Sequence, residues 1–171
     1  MNDKRLLTAE VILGNAIVID IDQCIGCELC VDVCSGSRTG RCSSLDSRIR
    51  IRRDEPSAAF IPVFCLQCIE HSCYDACPEE AIYYDSGLSI YRVDSKKCTG
   101  CGACEDACAY KGIFVDGVCA RKCDLCDGRP VCVEVCIPKA LRWTHVSEEE
   151  RKACVTHQLD VLRDFKNAAE I

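Results

Sequence analysis

Cys98-Thr99-Gly100-Cys101-Gly102-Ala103-Cys104-Glu105-Asp106-Ala107-Cys108 sets four cysteines two, two and three residues apart. Cys24-Ile25-Gly26-Cys27-Glu28-Leu29-Cys30-Val31-Asp32-Val33-Cys34 repeats that spacing. Working outward, two looser copies appear. One is Cys65, Cys68, Cys73 and Cys77, followed by Pro78; the other is Cys123, Cys126, Cys132 and Cys136. The four runs use 16 of the 19 cysteines and leave Cys42, Cys119 and Cys154. Glycine falls inside the tight loops at Gly26, Gly100 and Gly102, where a missing Cβ lets the backbone pass close to whatever the thiols hold.

A cubane iron–sulfur cluster explains this spacing. It needs four thiolates aimed at four iron corners, and three cysteines on one tight loop wrap most of a cube. The loop's N–H groups face the sulfides. The cysteine three residues further on points away, at the start of a short helix, and serves the other cluster of a pair. The longer gaps of the second and fourth runs widen the loop without removing a ligand. Zinc sites also use C-x2-C pairs, but as two pairs around one tetrahedral ion, and these runs are not built that way. A disulfide framework suits an oxidising compartment, and an odd cysteine count argues against a complete one.

The composition agrees. The chain has 171 residues, enough for one compact domain. It has only ten aromatic side chains, so much of the core is expected to be inorganic. The formal charge is −6, and each cluster with its thiolates adds about −2. So acidic a protein does not suit nucleic acid, whose affinity rests on Lys and Arg neutralising phosphates. Residues 1–10 carry no apolar run or cleavage site. Arg52-Arg53 lies too deep for an export signal, and no stretch reaches the roughly 18 apolar residues of a membrane span. A cytoplasmic location without a direct membrane span is the expectation. There is no Gly-x-Gly-x-x-Gly, no phosphate loop and no catalytic side-chain set, so the chain is not expected to be an enzyme alone.

Because the last cysteine of a run crosses over, runs work in twos. Residues 81–93 read as a hairpin turning at Ser86-Gly87, of the length that joins two cluster loops in a small bacterial ferredoxin. The second and third runs then form one unit, and the first pairs with the fourth. The expected ligand sets are Cys24, Cys27, Cys30 and Cys136; Cys65, Cys68, Cys73 and Cys108; Cys98, Cys101, Cys104 and Cys77; and Cys123, Cys126, Cys132 and Cys34. Pairing the first run with the second and the third with the fourth uses the same cysteines and exchanges only the crossing ones.

Four runs in this order, with Lys122-Cys123-Asp124-Leu125-Cys126 opening the last, resemble the four-cluster ferredoxin-like electron-transfer subunits of molybdenum and tungsten oxidoreductases, the dimethyl sulfoxide reductase and formate dehydrogenase type. The resemblance spans about Ile17 to Leu141. It implies four [4Fe–4S] clusters, the nested pairing, and a hetero-oligomer that relays single electrons between a catalytic subunit and a further donor or acceptor. The third run lacks a long insertion, the fourth has a short gap, and no C-terminal anchor is apparent. In these respects the chain is similar to the short form serving tungsten enzymes of the aldehyde ferredoxin oxidoreductase class, such as benzoyl-coenzyme A reductase. A free polyferredoxin serving several enzymes is the alternative. The first and third runs end on Ser35 and Ala109 instead of proline, and Ile137 precedes Pro138 in the fourth, which implies altered helix starts with ligation intact.

The implied fold class is α+β: duplicated ferredoxin-like dicluster units, with short strands and helices around the clusters. The domain is expected over residues 1–146, with an insertion at about 36–55 read as a loop around Ser37, Arg38, Gly40, Ser43 and Ser44. Strands are expected at residues 16–20, 48–52, 61–64, 112–117 and 140–143. Arg48, Arg50, Arg52 and Arg53 read as a solvated strand face or as a dock for an acidic partner. A C-terminal amphipathic helix at residues 147–171 is capped by Ser147 and Glu150. Its stripe of Val155, Leu159, Leu162, Phe165 and Ala169 would pack on the domain or on a partner. Cys119, four residues before Cys123, is the spare thiol best placed to compete as a ligand. His71 could hydrogen-bond to a sulfide or be an ordinary loop residue; His145 and His157 have no evident role.

Overall fold

The structure, a computed structural model, describes residues 14–54, 59–147, 149–154, 156–157 and 160–161. Strands and α-helices lie in the order β1 (Gly14–Ile19), α1 (Leu29–Thr39), β2 (Ile49–Asp54), β3 (Ala59–Phe64), α2 (Ser72–Asp75), β4 (Ile82–Asp85), β5 (Ile90–Val93), α3 (Ala103–Asp106), β6 (Ile113–Val115), β7 (Ala120–Lys122), α4 (Val131–Glu134) and β8 (Leu141–Val146). One unit recurs four times: a strand enters a cysteine run, a helix follows the second cysteine, and a strand leaves. This is a ferredoxin-like α+β arrangement.

The strands pair as four separate antiparallel two-stranded sheets, β1–β8, β2–β3, β4–β5 and β6–β7. The pairing is nested. β4 and β5 form the hairpin read from the sequence, with Tyr84 facing Tyr91, and join the second run to the third. β1 and β8 pair the strand that enters the first run with the strand that leaves the fourth, with Ile17 facing Trp143 and Ile19 facing Leu141, and so set the first run beside the fourth. The helices follow the same logic: α1 packs against α4, and α2 against α3.

Two main cores result. One gathers Ile17, Val31, Ile49, Phe64, Leu125 and Leu141 with Cys30, Cys34, Cys132 and Cys136. The other gathers Ile82, Tyr91, Ile113 and Ala120 with Cys73 and Cys104. Cysteine is part of both cores, as the small number of large apolar side chains requires.

Three expectations are corrected. First, Ser37 and Arg38 are helical, because α1 runs on to Thr39 and stops at Gly40, whose φ is 71°. That left-handed residue is the usual glycine cap of a helix end. Beyond it the chain is pinned: the N–H of Ser43 donates to Oγ of buried Ser35 at 2.9 Å. Second, the helix of each run does not start at the fourth cysteine. Cys73, Cys104 and Cys132 lie inside α2, α3 and α4, while Cys77, Cys108 and Cys136 follow the helix ends. In the first run α1 is longer and holds both Cys30 and Cys34. Third, β7 stands where no strand is expected. Three residues with two charges give no alternation to read, yet Ala120 and Lys122 both turn inward.

Three of the four arginines at residues 48–53 contact their own chain. Arg48 pairs with Asp124 at 2.6 Å, Arg50 stacks over the Phe114 ring at 3.9 Å, Arg53 pairs with Glu28 at 3.1 Å, and Arg52 is exposed. After β8 the reciprocal capping box forms. The N–H of Glu150 donates to Oγ of Ser147 at 3.2 Å, and the N–H of Ser147 donates to Oε2 of Glu150 at 2.7 Å. Val155, Leu159, Leu162, Phe165 and Ala169 lie outside the described residues. Among those described, Arg151 is buried and donates to the carbonyls of Leu66 and Gln67, and Val161 packs on Ile61, Val63 and Phe114.

Candidate metal centre

Each run bends the same way. Within every C-x2-C the residue before the second cysteine is left-handed: Gly26 at φ 66°, Gln67 at 53°, Gly100 at 67° and Leu125 at 56°. The bend points the two thiols to one side. At Gly26 a Cβ would stand 2.3 Å from the Phe60 ring, and at Gly100 it would stand 2.9 Å from the backbone of Gly117. Around Gly102 there is open space, so its glycine serves the backbone turn into α3 and not a close approach.

The last cysteine of each run is held by the backbone that follows it. The N–H groups of Ala81, Gly112 and Leu141 donate to Sγ of Cys77, Cys108 and Cys136 at 3.3, 3.4 and 3.4 Å. In the first run the donor is Arg48, further along the chain, at 3.3 Å from Cys34. The intervening segment loops out and leaves the contact in place.

These constraints gather thiols from different runs. Cys65, Cys68, Cys73 and Cys108 line one small cavity. Cys77, Cys98, Cys101 and Cys104 line a second, and Cys34, Cys123, Cys126 and Cys132 a third. Cys24, Cys27, Cys30 and Cys136 form the remaining group: burial, then Cys24, Cys27 and Cys136, push the Cys30 thiol up to about 12. All 19 cysteines are free thiols. Among the described residues no group of His, Cys, Asp and Glu is drawn together tightly enough for a single metal ion.

The electrostatics are those of thiols that need a positive centre to ionise together. Burial, reinforced by Cys65, raises Cys68 to about 12, and burial raises Cys123 to about 12 against the N–H of Leu125. Burial and Cys73 raise Cys104 to about 11. Burial and the neighbouring thiols also push Cys132 upward. Thiols that hinder each other's ionisation become joint thiolate ligands only around a positive centre. Four sulfurs on apolar walls with backbone N–H donors fit an iron–sulfur cube.

Neighbour relations order the groups. Cys30 and Cys132 share one core, Gln67 beside Cys68 donates to the carbonyl of Cys123 at 2.7 Å, and Cys73 and Cys104 share the other core. The group of Cys24 therefore adjoins that of Cys123, which adjoins that of Cys65, which adjoins that of Cys98. Cys27 and Cys101, both exposed, belong to the two end groups.

Side chains outside the cysteines shape the site. Lys122 is buried; burial disfavours its ammonium, but Cys65, Cys73 and Cys123 outweigh this and shift it upward. Asp124, 10% exposed, pairs with Arg38 and with Arg48, and Arg92 stands 3.7 Å away. His71 lines the Cys65 cavity and packs its ring 4.2 Å from that of Tyr91; burial, then Lys122, lowers its pKa. Cys119 donates to the carbonyl of Ala120 at 3.5 Å and is not among the residues lining the Cys98 cavity. Cys42 is exposed, and Cys154 lines a groove beside Trp143. His145 and His157 are exposed. The sequence did not single out Gln67, Leu125 or the charge of Lys122; the only signal was their place beside the cysteines.

Comparison with known proteins meets this geometry. Residues 56–146 match the model of the family described as "4Fe-4S dicluster domain". The chain is 36% identical over 132 residues to the beta subunit of the NADH-dependent phenylglyoxylate dehydrogenase of Aromatoleum evansii, covering 75% of this chain and 30% of that longer protein. It is 39% identical over 125 residues to the polyferredoxin-like subunit of the aliphatic sulfonate oxidoreductase of Pyrococcus furiosus, covering 70% of each. Among solved structures, a chain of the active site complex BamBC of benzoyl coenzyme A reductase aligns with a TM-score of 0.47 and 24% identity, over 91% of this chain and 98% of that one. No helix among the described residues is long and apolar enough to cross a membrane. The resemblance carried by the four runs and the match found by comparison agree, and the chain belongs to the 4Fe-4S dicluster domain family.

Proposed function

We propose that this chain is the electron-transfer subunit of an oxidoreductase complex, holding four [4Fe–4S] clusters and relaying single electrons between a tungsten- or molybdenum-dependent catalytic subunit and a second redox partner. The ligand sets are Cys24, Cys27, Cys30 and Cys136; Cys34, Cys123, Cys126 and Cys132; Cys65, Cys68, Cys73 and Cys108; and Cys77, Cys98, Cys101 and Cys104. The observation that carries the reading is the single row of four thiol groups with an exposed thiol at each end. The bound clusters supply one-electron chemistry. The protein holds the thiolates in place, gives N–H donors to sulfur, and leaves Cys27 and Cys101 at the surface, where partners would exchange electrons. With a thiolate assigned to every iron corner, no position is left for a substrate, which supports a carrier over a catalyst. The repeated strand–run–strand unit supports duplication of a dicluster ancestor.

Anaerobic purification with iron and sulfide analysis tests this. About 16 irons per chain are expected from four cubes, and replacing Cys101 with serine should remove or convert one cluster and slow reduction through that end. A colourless, iron-free chain, or one carrying zinc, overturns the reading. Copurification of a tungsten-containing subunit supports the named partner, and a chain that copurifies with no catalytic subunit overturns it.

A further inference from the structure

A buried cation stands at the join between two of the thiol groups. β7 turns Ala120 and Lys122 to its inward face, and Lys122 is 5% exposed. Its Nζ donates to Sγ of Cys65 at 2.7 Å and to Oε1 of Gln67 at 2.8 Å. One peptide bond further along the chain is Cys123, of the adjoining group.

Gln67 fixes that ammonium. Its own N–H donates to Sγ of Cys65 at 3.4 Å, its Nε2 donates to the carbonyl of Cys123 at 2.7 Å, and its Oε1 also accepts from the N–H of Tyr91 at 3.3 Å. One amide side chain thus ties the second run to the fourth and holds Lys122 against a sulfur. A lysine kept simply for packing would lead its charge to water, since these long stems normally carry their heads to the surface. Here the charge ends on a thiol.

We propose that Lys122 sets the redox potential of the site formed by Cys65, Cys68, Cys73 and Cys108, raising it above the value its ligands alone would give, with Gln67 as the positioning residue. The inference rests on the reading that these cysteines hold a cluster. Its physics is Coulombic. Adding one electron makes the site one unit more negative, and a positive charge in low dielectric at a ligand sulfur stabilises that form more than the oxidised one. The effect falls with distance, so the Cys65 site feels it most, the adjoining Cys123 site less, and the two end sites least. An electron would then rest preferentially inside the row, away from the exposed Cys27 and Cys101.

The test is a redox titration of the anaerobic holoprotein followed by electron paramagnetic resonance, with iron counted in every sample. Lys122→Met is expected to keep its iron and to move one couple downward. At the wild-type midpoint of that couple the reduced-to-oxidised ratio should fall about tenfold, equal to about 59 mV for one electron. Lys122→Arg should restore the couple, because the charge returns. Gln67→Glu should move the same couple in the same direction by less, because a carboxylate offsets the ammonium. Full iron with unmoved couples in Lys122→Met overturns the proposal, as does an equal shift of every couple. If Lys122→Met loses iron, Gln67→Glu decides: a lowered couple supports the proposal, and an unmoved one with full iron overturns it. An iron-free wild-type chain would instead refute the function proposed above.

Discussion

The inner half of the molecule, built on the second and third runs, closes locally; the outer half, built on the first and fourth, closes across nearly the whole described chain. The inner closure is the β4–β5 hairpin, and its core is small and aromatic, with the rings of His71, Tyr74 and Tyr84 set 4.2, 5.0 and 5.3 Å from that of Tyr91. The outer closure is the β1–β8 pair, and its core is larger and aliphatic, including Ile17, Val31, Ile49 and Leu141. Closing a long loop carries more entropy than closing a hairpin, so the outer half needs more apolar burial for the same result. The join between the halves is apolar at Ile90 of β5, which packs into the outer core, and polar around Asp124. Asp124, next to Cys123, gathers Arg38 of α1 and Arg48 ahead of β2 from the outer half and Arg92 of β5 from the inner.

The largest expected effect comes from removing outer burial. Leu141 is 1% exposed and begins β8. Leu141→Ala should cost about 2–5 kcal/mol, the usual range for a core leucine truncation. The variant keeps the N–H that donates to Cys136, so it tests packing and not that hydrogen bond. Anaerobic thermal unfolding and iron counts should show the two outer sites emptying before the two inner ones. Loss from all four sites together would mean that the halves do not stand apart.

A smaller effect sharpens where the halves meet. Asp124→Asn keeps the side chain's shape but removes the charge that Arg38, Arg48 and Arg92 share. The side chains of Arg38 and Arg48 are 23% and 27% exposed. Water will therefore screen part of the loss. A cost of about 2 kcal/mol is expected for hydrogen bonds to a charged group at this depth. Hydrogen exchange should quicken in α1 and β5 together. A change confined to α1 would show that the inner half does not lean on this carboxylate.

The inner half was the easier to read from sequence. Its hairpin has the Ser86-Gly87 turn and the short length of a local connection, and its two runs are neighbours along the chain. The outer half was reachable only through the rule that runs work in twos, because nothing local in residues 14–19 says that residues 141–146 lie beside them. Residues 36–39 misled because serine and glycine suit loops, while the α1 stop at Gly40 depends on one backbone angle; Ser43 and Ser44 do lie in a loop. Lys122 was read only as part of a motif: a lysine beside a cysteine looks solvated until a three-residue strand turns it inward. Gln67 carried no signal, since its left-handed backbone and the three tertiary hydrogen bonds of its side chain are properties of the folded loops and not of glutamine.

The smallest expected effect lies in the turn that leads from the inner half to the outer. Between β6 and β7, Asp116 accepts N–H bonds from Cys119 at 2.8 Å and Val118 at 2.9 Å, and pairs with Arg121 at 2.5 Å. These donors, Cys119 first, hold its carboxyl down to about 2. A depressed carboxyl stabilises the folded form fully above its unfolded pKa of about 3.9, and that contribution is lost as pH falls from there through about 2. The side chain is 30% exposed. Screening by water should keep the loss below about 1 kcal/mol. Asp116→Asn at neutral pH reproduces the uncharged state without acid damage to the rest of the protein. Amide exchange at Val118 and Cys119 should quicken while iron content holds. If β4 and β5 quicken as well, the turn is a strut on which the inner half depends, and the local closure of that half is less self-sufficient than its hairpin suggests.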